Sequence, residues 1–409
     1  MNTAKIQLLL VDDNPLDAAL AQRLLQNISQ ELPVATCWVD SAERALVEIR
    51  QRPYDLLLLD YQLPGANGLE VLSELHKLPH SQQPAVIMLT ASGSEKVAVE
   101  AMKSGARDYL RKDELAAAPL LRALLSALSQ KRLQDQVERY VAQTQVDLRM
   151  ARQLQHALLP QHFPSFPSTA TDRETALRFY SRYISTTELG GDFYDVLPLS
   201  DTAAGVLVCD VMGHGVRAAL VTAMIRALVE ELLPVAHDPS QFLAGINHGL
   251  LAILQHADEP LFATAFYLVA DVAQGRMRYA TAGHPLPFLL QRAPGTVTRL
   301  DFAGGESGPA LGIFETPTFA TGRHELAPHD LVILFTDGLF EVLDADDKEF
   351  GQNRLLAAVQ ERSQVPAEQL FDELIDLIRR QSRTGEYSDD VCLLGVEVAR
   401  IAICPGVNP

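Results

Sequence analysis

The sequence predicts an α/β protein in two domains: an N-terminal doubly wound parallel sheet and, beyond a long helical linker, a unit of two sheets packed against helices. Three observations carry this expectation. Residues 5–128 alternate strand-like apolar runs at 7–11, 56–59, 85–90 and 109–110 with helical stretches, the rhythm of a parallel sheet with helical crossovers. Between about 119 and 159 there are few helix breakers and no glycine. After residue 177 the texture changes to short β-like runs divided by glycines.

Taken in order, the first strand ends on Asp12 and Asp13, and a helix follows Pro15. Asp60, Thr90 and Lys112 sit at the ends of later strands, where a doubly wound sheet places its functional groups. The glycine-free stretch predicts one long helix or two stacked ones, in which Val137, Val141, Thr144, Leu148 and Ala151 repeat with the 4-3 spacing of a short coiled-coil-like seam. Pro160 ends it, and the Pro/Ser/Thr-rich stretch beyond reads as a connector. Runs at 205–209, 262–270, 277–282, 287–290, 330–336 and 391–398 supply the later strands, with helices near 216–232 and 239–255. The expected divisions are 1–128, a helical linker and candidate dimerisation seam at 129–160, a connector at 161–176, a second domain at 177–398 and a tail at 399–409.

Bulk properties narrow the function. At 409 residues and 47% apolar composition the chain can fill two or three cores. Its 52 acidic against 34 basic residues give a formal charge of −18, which repels nucleic acid and anionic membranes. Cys37, Cys209, Cys392 and Cys404 are scattered, without the spacing of a zinc site or a disulfide framework, and fit a reducing cytoplasm. No basic-then-apolar leader or run near the ~20 residues of a membrane span is visible. The expectation is a soluble cytoplasmic protein that binds neither nucleic acid nor membrane.

The adjacent carboxylates Asp12 and Asp13, with Asp60 from another strand end, can hold a Mg²⁺ and leave one Asp60 oxygen free to attack phosphorus. Lys112 can neutralise the transferred group and the Thr90 hydroxyl can bond it. The motifs Leu10-Val11-Asp12-Asp13-Asn14-Pro15, Leu59-Asp60-Tyr61-Gln62-Leu63-Pro64-Gly65, Leu89-Thr90-Ala91 and Gly105-Ala106-Arg107-Asp108-Tyr109-Leu110-Arg111-Lys112 resemble the response-regulator receiver domain over residues 5–128. The resemblance implies Asp60 as phosphoacceptor from a sensor histidine kinase. It also implies one Mg²⁺ on Asp12, Asp13, Asp60 and the Gln62 carbonyl, and Thr90, Tyr109 and Lys112 as the switch residues. A departure is Asp113 after Lys112, where receivers usually have proline.

Four further acidic anchors follow in order: Gly190-Gly191-Asp192, Asp210 to Gly215, Thr336-Asp337-Gly338 and Ser388-Asp389-Asp390. Carboxylates beside glycines at strand ends are what two hard divalent cations need, and such a pair about 4 Å apart can activate a water for in-line attack on phosphate. Asp210 is the bridging candidate, with the Val211 carbonyl beside it. Asp337 and Asp389 close the shell, Asp192 is a direct or water-mediated ligand, and Asp390 is an alternative to Asp389. His214 is a candidate to protonate the leaving oxygen, His284 a weaker one, and Arg182 and Arg217 are candidate phosphate clamps.

These anchors, with Ala282-Gly283-His284-Pro285, Glu349-Phe350-Gly351 and the helix 150–160, resemble the PPM metal-dependent Ser/Thr phosphatases, and more narrowly the SpoIIE-like branch, over residues 148–398. Departures are Cys392 after the Asp pair and Thr281 before Ala-Gly-His, neither a ligand. The resemblance implies an α/β/β/α sandwich, two Mn²⁺ or Mg²⁺, and a phosphoserine or phosphothreonine substrate on an anti-sigma-factor antagonist of the STAS type in partner switching. The competing expectation is a phosphorylation-controlled adaptor with a catalytically silent phosphatase-like domain.

Overall fold

The computed structural model describes residues 5–91, 95–254, 261–302 and 307–401. The chain divides into two compact units, Met1–Gln145 and Val146–Pro409.

The first unit runs β1 (Ile6–Val11), α1 (Pro15–Asn27), β2 (Val34–Val39), α2 (Ala42–Gln51), β3 (Leu56–Asp60), the two-residue strands β4 (Gln62–Leu63) and β5 (Ala66–Asn67), α3 (Gly68–Leu75), β6 (Ala85–Thr90), α4 (Glu95–Lys103), β7 (Asp108–Arg111) and the start of α5 (Ala117–Leu158). The main sheet has the order β2-β1-β3-β6-β7, with every pairing parallel. Its central strands are apolar on both faces because helices cover both. Leu8, Leu10, Leu56, Leu58, Ile87 and Leu89 pack toward α1 and α5, while Leu9, Val11, Leu57, Leu59, Val86 and Met88 pack toward α2 and α3. At the start of α1, the Asn14 side chain accepts the Leu16 N–H and Pro15 fills the first turn.

The strands expected at 7–11, 56–59, 85–90 and 109–110 all form. β2 was not foreseen. It is the sheet edge, its residues are mostly half-buried or exposed, and it carries no long apolar run. The linker is one continuous helix of 42 residues. Its first turns bury Leu120, Ala123, Leu124, Ala127 and Leu128 in the core of the first unit. Farther along, Leu133, Val137, Tyr140, Val141, Val146, Met150 and Leu154 are exposed. No helix among the described residues is long and apolar enough to cross a membrane.

The second unit continues with β8 (Leu177–Ile184), β9 (Asp192–Pro198), β10 (Ala203–Val211), α6 (Val216–Glu231), α7 (Pro239–Leu254), β11 (Ala263–Asp271), β12 (Arg276–Ala282), β13 (Phe288–Gln291), β14 (Thr296–Arg299), β15 (Gly322–Glu325), β16 (Leu331–Phe335), α8 (Gly351–Glu361), α9 (Ala367–Gln381) and β17 (Val391–Val398). Two antiparallel sheets, β15-β12-β11-β10-β9 and β14-β13-β16-β17-β8, stack face to face. Helices α6 and α7 cover the first sheet, and α8 and α9 cover the second, which gives the expected α/β/β/α sandwich. The period-2 alternation explains the layering. In β16, Val332 and Leu334 enter the core between the sheets, while Leu331, Ile333 and Phe335 pack under α8 and α9. Those last two helices were not singled out in the sequence. The Pro/Ser/Thr-rich stretch at 161–176 has no regular element, yet it is anchored: Phe166 is fully buried, its N–H donates to the Thr175 hydroxyl at 2.9 Å, and its carbonyl accepts the Ala176 N–H at 2.7 Å.

Candidate metal centres

In the first unit the carboxyl ends of β1 and β3 bring three acids together. One ligand oxygen from each of Asp12, Asp13 and Asp60 lies within 4.8 Å of the others, and among the described residues this is the one group of three or more acids, histidines or cysteines drawn that close. Asp12 and Asp60 are buried and Asp13 is exposed. Lys112 arrives from the turn after β7. Its Nζ meets Asp60 Oδ2 at 2.7 Å, Asp12 Oδ2 at 2.8 Å and Asp17 Oδ2, on the first turn of α1, at 3.1 Å. Asp17 had not been anticipated. Burial works against the Lys112 charge, but bonds to Asp12 and Asp60, and then Asp17, outweigh it and raise its pKa. Burial raises the Asp60 carboxyl, Lys112 opposes this, and repulsion from Asp12 adds to it, so the net shift is upward. The Gln62 N–H donates to Asp60 Oδ1 at 3.4 Å. Thr90 ends β6 fully buried, whereas Tyr109 on β7 is 41% exposed.

In the second unit, the acids gather where strand ends of both sheets meet. Asp192 begins β9 and is the cross-strand partner of Asp210, one residue from the end of β10. Asp337 opens the turn after β16, and Asp389-Asp390 immediately precede β17. Thr336 ties the two sheets: its hydroxyl donates to Asp192 Oδ2 at 2.6 Å and accepts the Cys392 N–H at 2.9 Å. Gly191 is required because a Cβ there would strike the Val211 carbonyl. Gly338 is required because a Cβ would overlap the Asp390 carbonyl.

The adjacent acids differ in environment. Asp390 is buried; its Oδ1 accepts the Thr186 N–H at 2.8 Å and its Oδ2 the Gly191 N–H at 2.9 Å. Asp389 is exposed. Asp390 thus clamps the Gly190-Gly191 loop, a role the sequence could not separate from ligation. Gln155, near the end of α5, grips the same loop: its Nε2 donates to the Gly190 carbonyl at 2.7 Å and its Oε1 accepts the Gly190 N–H at 3.1 Å. Neither Thr336 nor Gln155 had been assigned a role in advance. The only available signal was their place inside the quoted motifs.

The field in this cluster is strongly anionic. Burial, then Asp337 and Asp389, push Asp210 up to about 7. Burial, then Asp210, push Asp192 well above the carboxylate range, against the bond from Thr336. Asp337 is raised by burial and by Asp389. Oxygen donors that repel one another in this way suit hard divalent cations, which would relieve the repulsion. His214 lies exposed between Gly213 and Gly215, both at positive φ. His284 is buried, its Nδ1 2.8 Å from the Thr264 hydroxyl, and burial lowers its pKa to about 3, which disfavours the charged imidazolium. Arg182 forks onto Asp372 of α9 at 2.6 and 3.0 Å, which commits it to that helix rather than to phosphate. Arg217 is exposed in the first turn of α6.

Residues 200–399 match the family model for stage II sporulation protein E (SpoIIE), and residues 8–124 match that for the response regulator receiver domain. The phosphoserine phosphatase RsbP of Bacillus subtilis is 28% identical over 219 residues, covering 53% of this chain and 51% of that protein. The phosphoserine phosphatase RsbU of the same organism is 27% identical over 173 residues, covering 42% of this chain and 49% of that protein. The chain thus spans about half the length of these curated relatives. The SiaA-PP2C domain of Pseudomonas aeruginosa superposes with a TM-score of 0.53 at 20% identity, over 63% of this chain and 98% of that domain, and shares its fold. With its parallel-sheet unit and its acid-edged sandwich, the chain joins a response-regulator receiver domain to a SpoIIE-type domain of PP2C fold.

Proposed function

We propose that this protein is a two-component response regulator in which phosphorylation of Asp60 controls a metal-dependent phosphoserine/phosphothreonine protein phosphatase. The observation that carries the reading is the anionic cluster on the sandwich, in which Asp210 is held near pKa 7 by burial and by Asp337 and Asp389. Asp210, Asp337, Asp389, the Val211 carbonyl and Asp192 would hold two Mn²⁺ or Mg²⁺. When bound, such a pair neutralises charge on phosphate and activates water. Asp390, Thr336 and Gln155 hold the loops that present these ligands, and His214 supplies a proton to the leaving serine or threonine oxygen. In the receiver, Asp12, Asp13, Asp60 and the Gln62 carbonyl hold one Mg²⁺, and Lys112 moves onto the phosphoryl group. Thr90 and Tyr109 register the change.

The names of RsbP and RsbU favour phosphoserine as substrate. The phosphodonor is a sensor histidine kinase, and the substrate is a phosphorylated anti-sigma-factor antagonist of the STAS type, in a cytoplasmic partner-switching pathway. The exposed apolar side chains of α5, Val137 and Val141 among them, support a homodimer through that helix. Phosphate release from a phosphoserine peptide and from p-nitrophenyl phosphate, with Mn²⁺ or with EDTA, tests the enzyme. Turnover should require metal and vanish in the Asp210→Asn, Asp337→Asn double variant. Turnover unaffected by EDTA, or equal in that variant, contradicts the assignment, and no turnover with any metal favours the silent adaptor.

A further inference from the structure

The chain has a single tryptophan, Trp38, near the end of the edge strand β2. It is 40% exposed and belongs to neither hydrophobic core of its unit, so packing alone does not account for it. Its fixed contact is polar: the indole Nε1–H donates to the backbone carbonyl of Asp12 at 2.9 Å. The Asp12 N–H in turn donates to the Val39 carbonyl at 3.2 Å. The end of β2 therefore holds Asp12 by both of its backbone groups. The carbonyl matters most, because it lies in the planar peptide that joins Asp12 to Asp13. Fixing that plane fixes the last backbone torsion of Asp12 and the first of Asp13, and with them the directions in which the two carboxylates leave the chain.

We propose that Trp38 is a positioning residue for the divalent cation of the receiver, acting through its indole N–H on the Asp12–Asp13 peptide. The proposal rests on the reading of Asp12, Asp13 and Asp60 as a Mg²⁺ site. Groups that orient ligands without touching the metal commonly tune its affinity. Phenylalanine at this position keeps a ring and removes the donor. Histidine keeps a donor, because its Nε2–H occupies the place in a five-membered ring that Nε1–H has in indole.

The test uses the full-length protein at about pH 8, where a histidine is neutral. Amide hydrogen exchange in peptides covering residues 6–16 is followed by mass spectrometry across a Mg²⁺ titration, for the wild type, Trp38→Phe and Trp38→His. In the wild type, Mg²⁺ should slow exchange at Asp13 and Asn14 with a defined midpoint. Trp38→Phe should raise that midpoint about five- to tenfold, the range expected for losing one hydrogen bond behind a metal ligand. Trp38→His should return it to within about twofold of wild type, a difference at the scale of a neutral substitution. An unchanged midpoint in Trp38→Phe overturns the proposal, and so does an equal rise in both variants, which marks a packing role. A wild type with no Mg²⁺-dependent protection overturns the metal reading on which the proposal stands.

Discussion

At the scale of single residues, the two neighbours Asp389 and Asp390 make the sharpest contrast. Asp390 satisfies two backbone N–H groups of the glycine loop. Its replacement by alanine should cost about 2–3 kcal/mol of stability by urea denaturation, since two donors lose a charged acceptor. Asp389→Asn should abolish turnover without lowering stability, because the position is exposed and its charge repels Asp210 and Asp337. Asp210 makes a prediction about pH. Its carboxyl titrates near 7 in the folded protein, above the unfolded value, so the stability it confers is fully present below about pH 4 and is lost as pH rises through 7. In EDTA, Asp210→Asn should therefore gain on the wild type between pH 5 and 8, by about 2–4 kcal/mol. Added Mn²⁺ should erase the gain by stabilising the wild type. A gain that is independent of pH contradicts this.

At the scale of elements, the acids of the sandwich come together because strand ends from two sheets are tied. Thr336 makes that tie by bonding Asp192 and Cys392. Thr336→Val leaves the buried Cys392 N–H without its acceptor and should cost about 1–3 kcal/mol, whereas Thr336→Ser should retain most of the stability. Gln155→Ala should loosen the Gly190 loop and raise the Mn²⁺ concentration for half-maximal turnover about tenfold. The elements read most easily from sequence were those with unbroken apolar runs, such as β3, β6 and β17, which are buried on both faces. β2 escaped because an edge strand needs no continuous apolar run. Helices α8 and α9 escaped because their apolar positions recur at helical spacing without forming a run. The placing of the acids at strand ends was legible because carboxylates and glycines stand together in short local patterns after apolar runs. Asp390's clamp, Thr336's bridge and the Arg182–Asp372 pair were not, because each joins segments far apart in the chain.

At the scale of the whole molecule, the chain carries two acidic clusters, one at the strand ends of a parallel sheet and one at the edge of a sandwich. Helix α5 begins in the first unit and ends in the second, so it is the covalent route between them. If its exposed apolar side chains form the dimer seam, Val137→Glu with Val141→Glu should give a monomer by light scattering, with Asp60 phosphorylation by a small-molecule donor intact. The most direct measurement is the initial rate of phosphate release from a phosphoserine protein substrate by full-length protein with Mn²⁺, with and without a phosphoryl donor, for wild type and Asp60→Ala. A rate that changes with the donor in the wild type and not in Asp60→Ala is the expected result. A wild-type rate indifferent to the donor, while Asp60 is demonstrably phosphorylated, would contradict receiver control of the phosphatase.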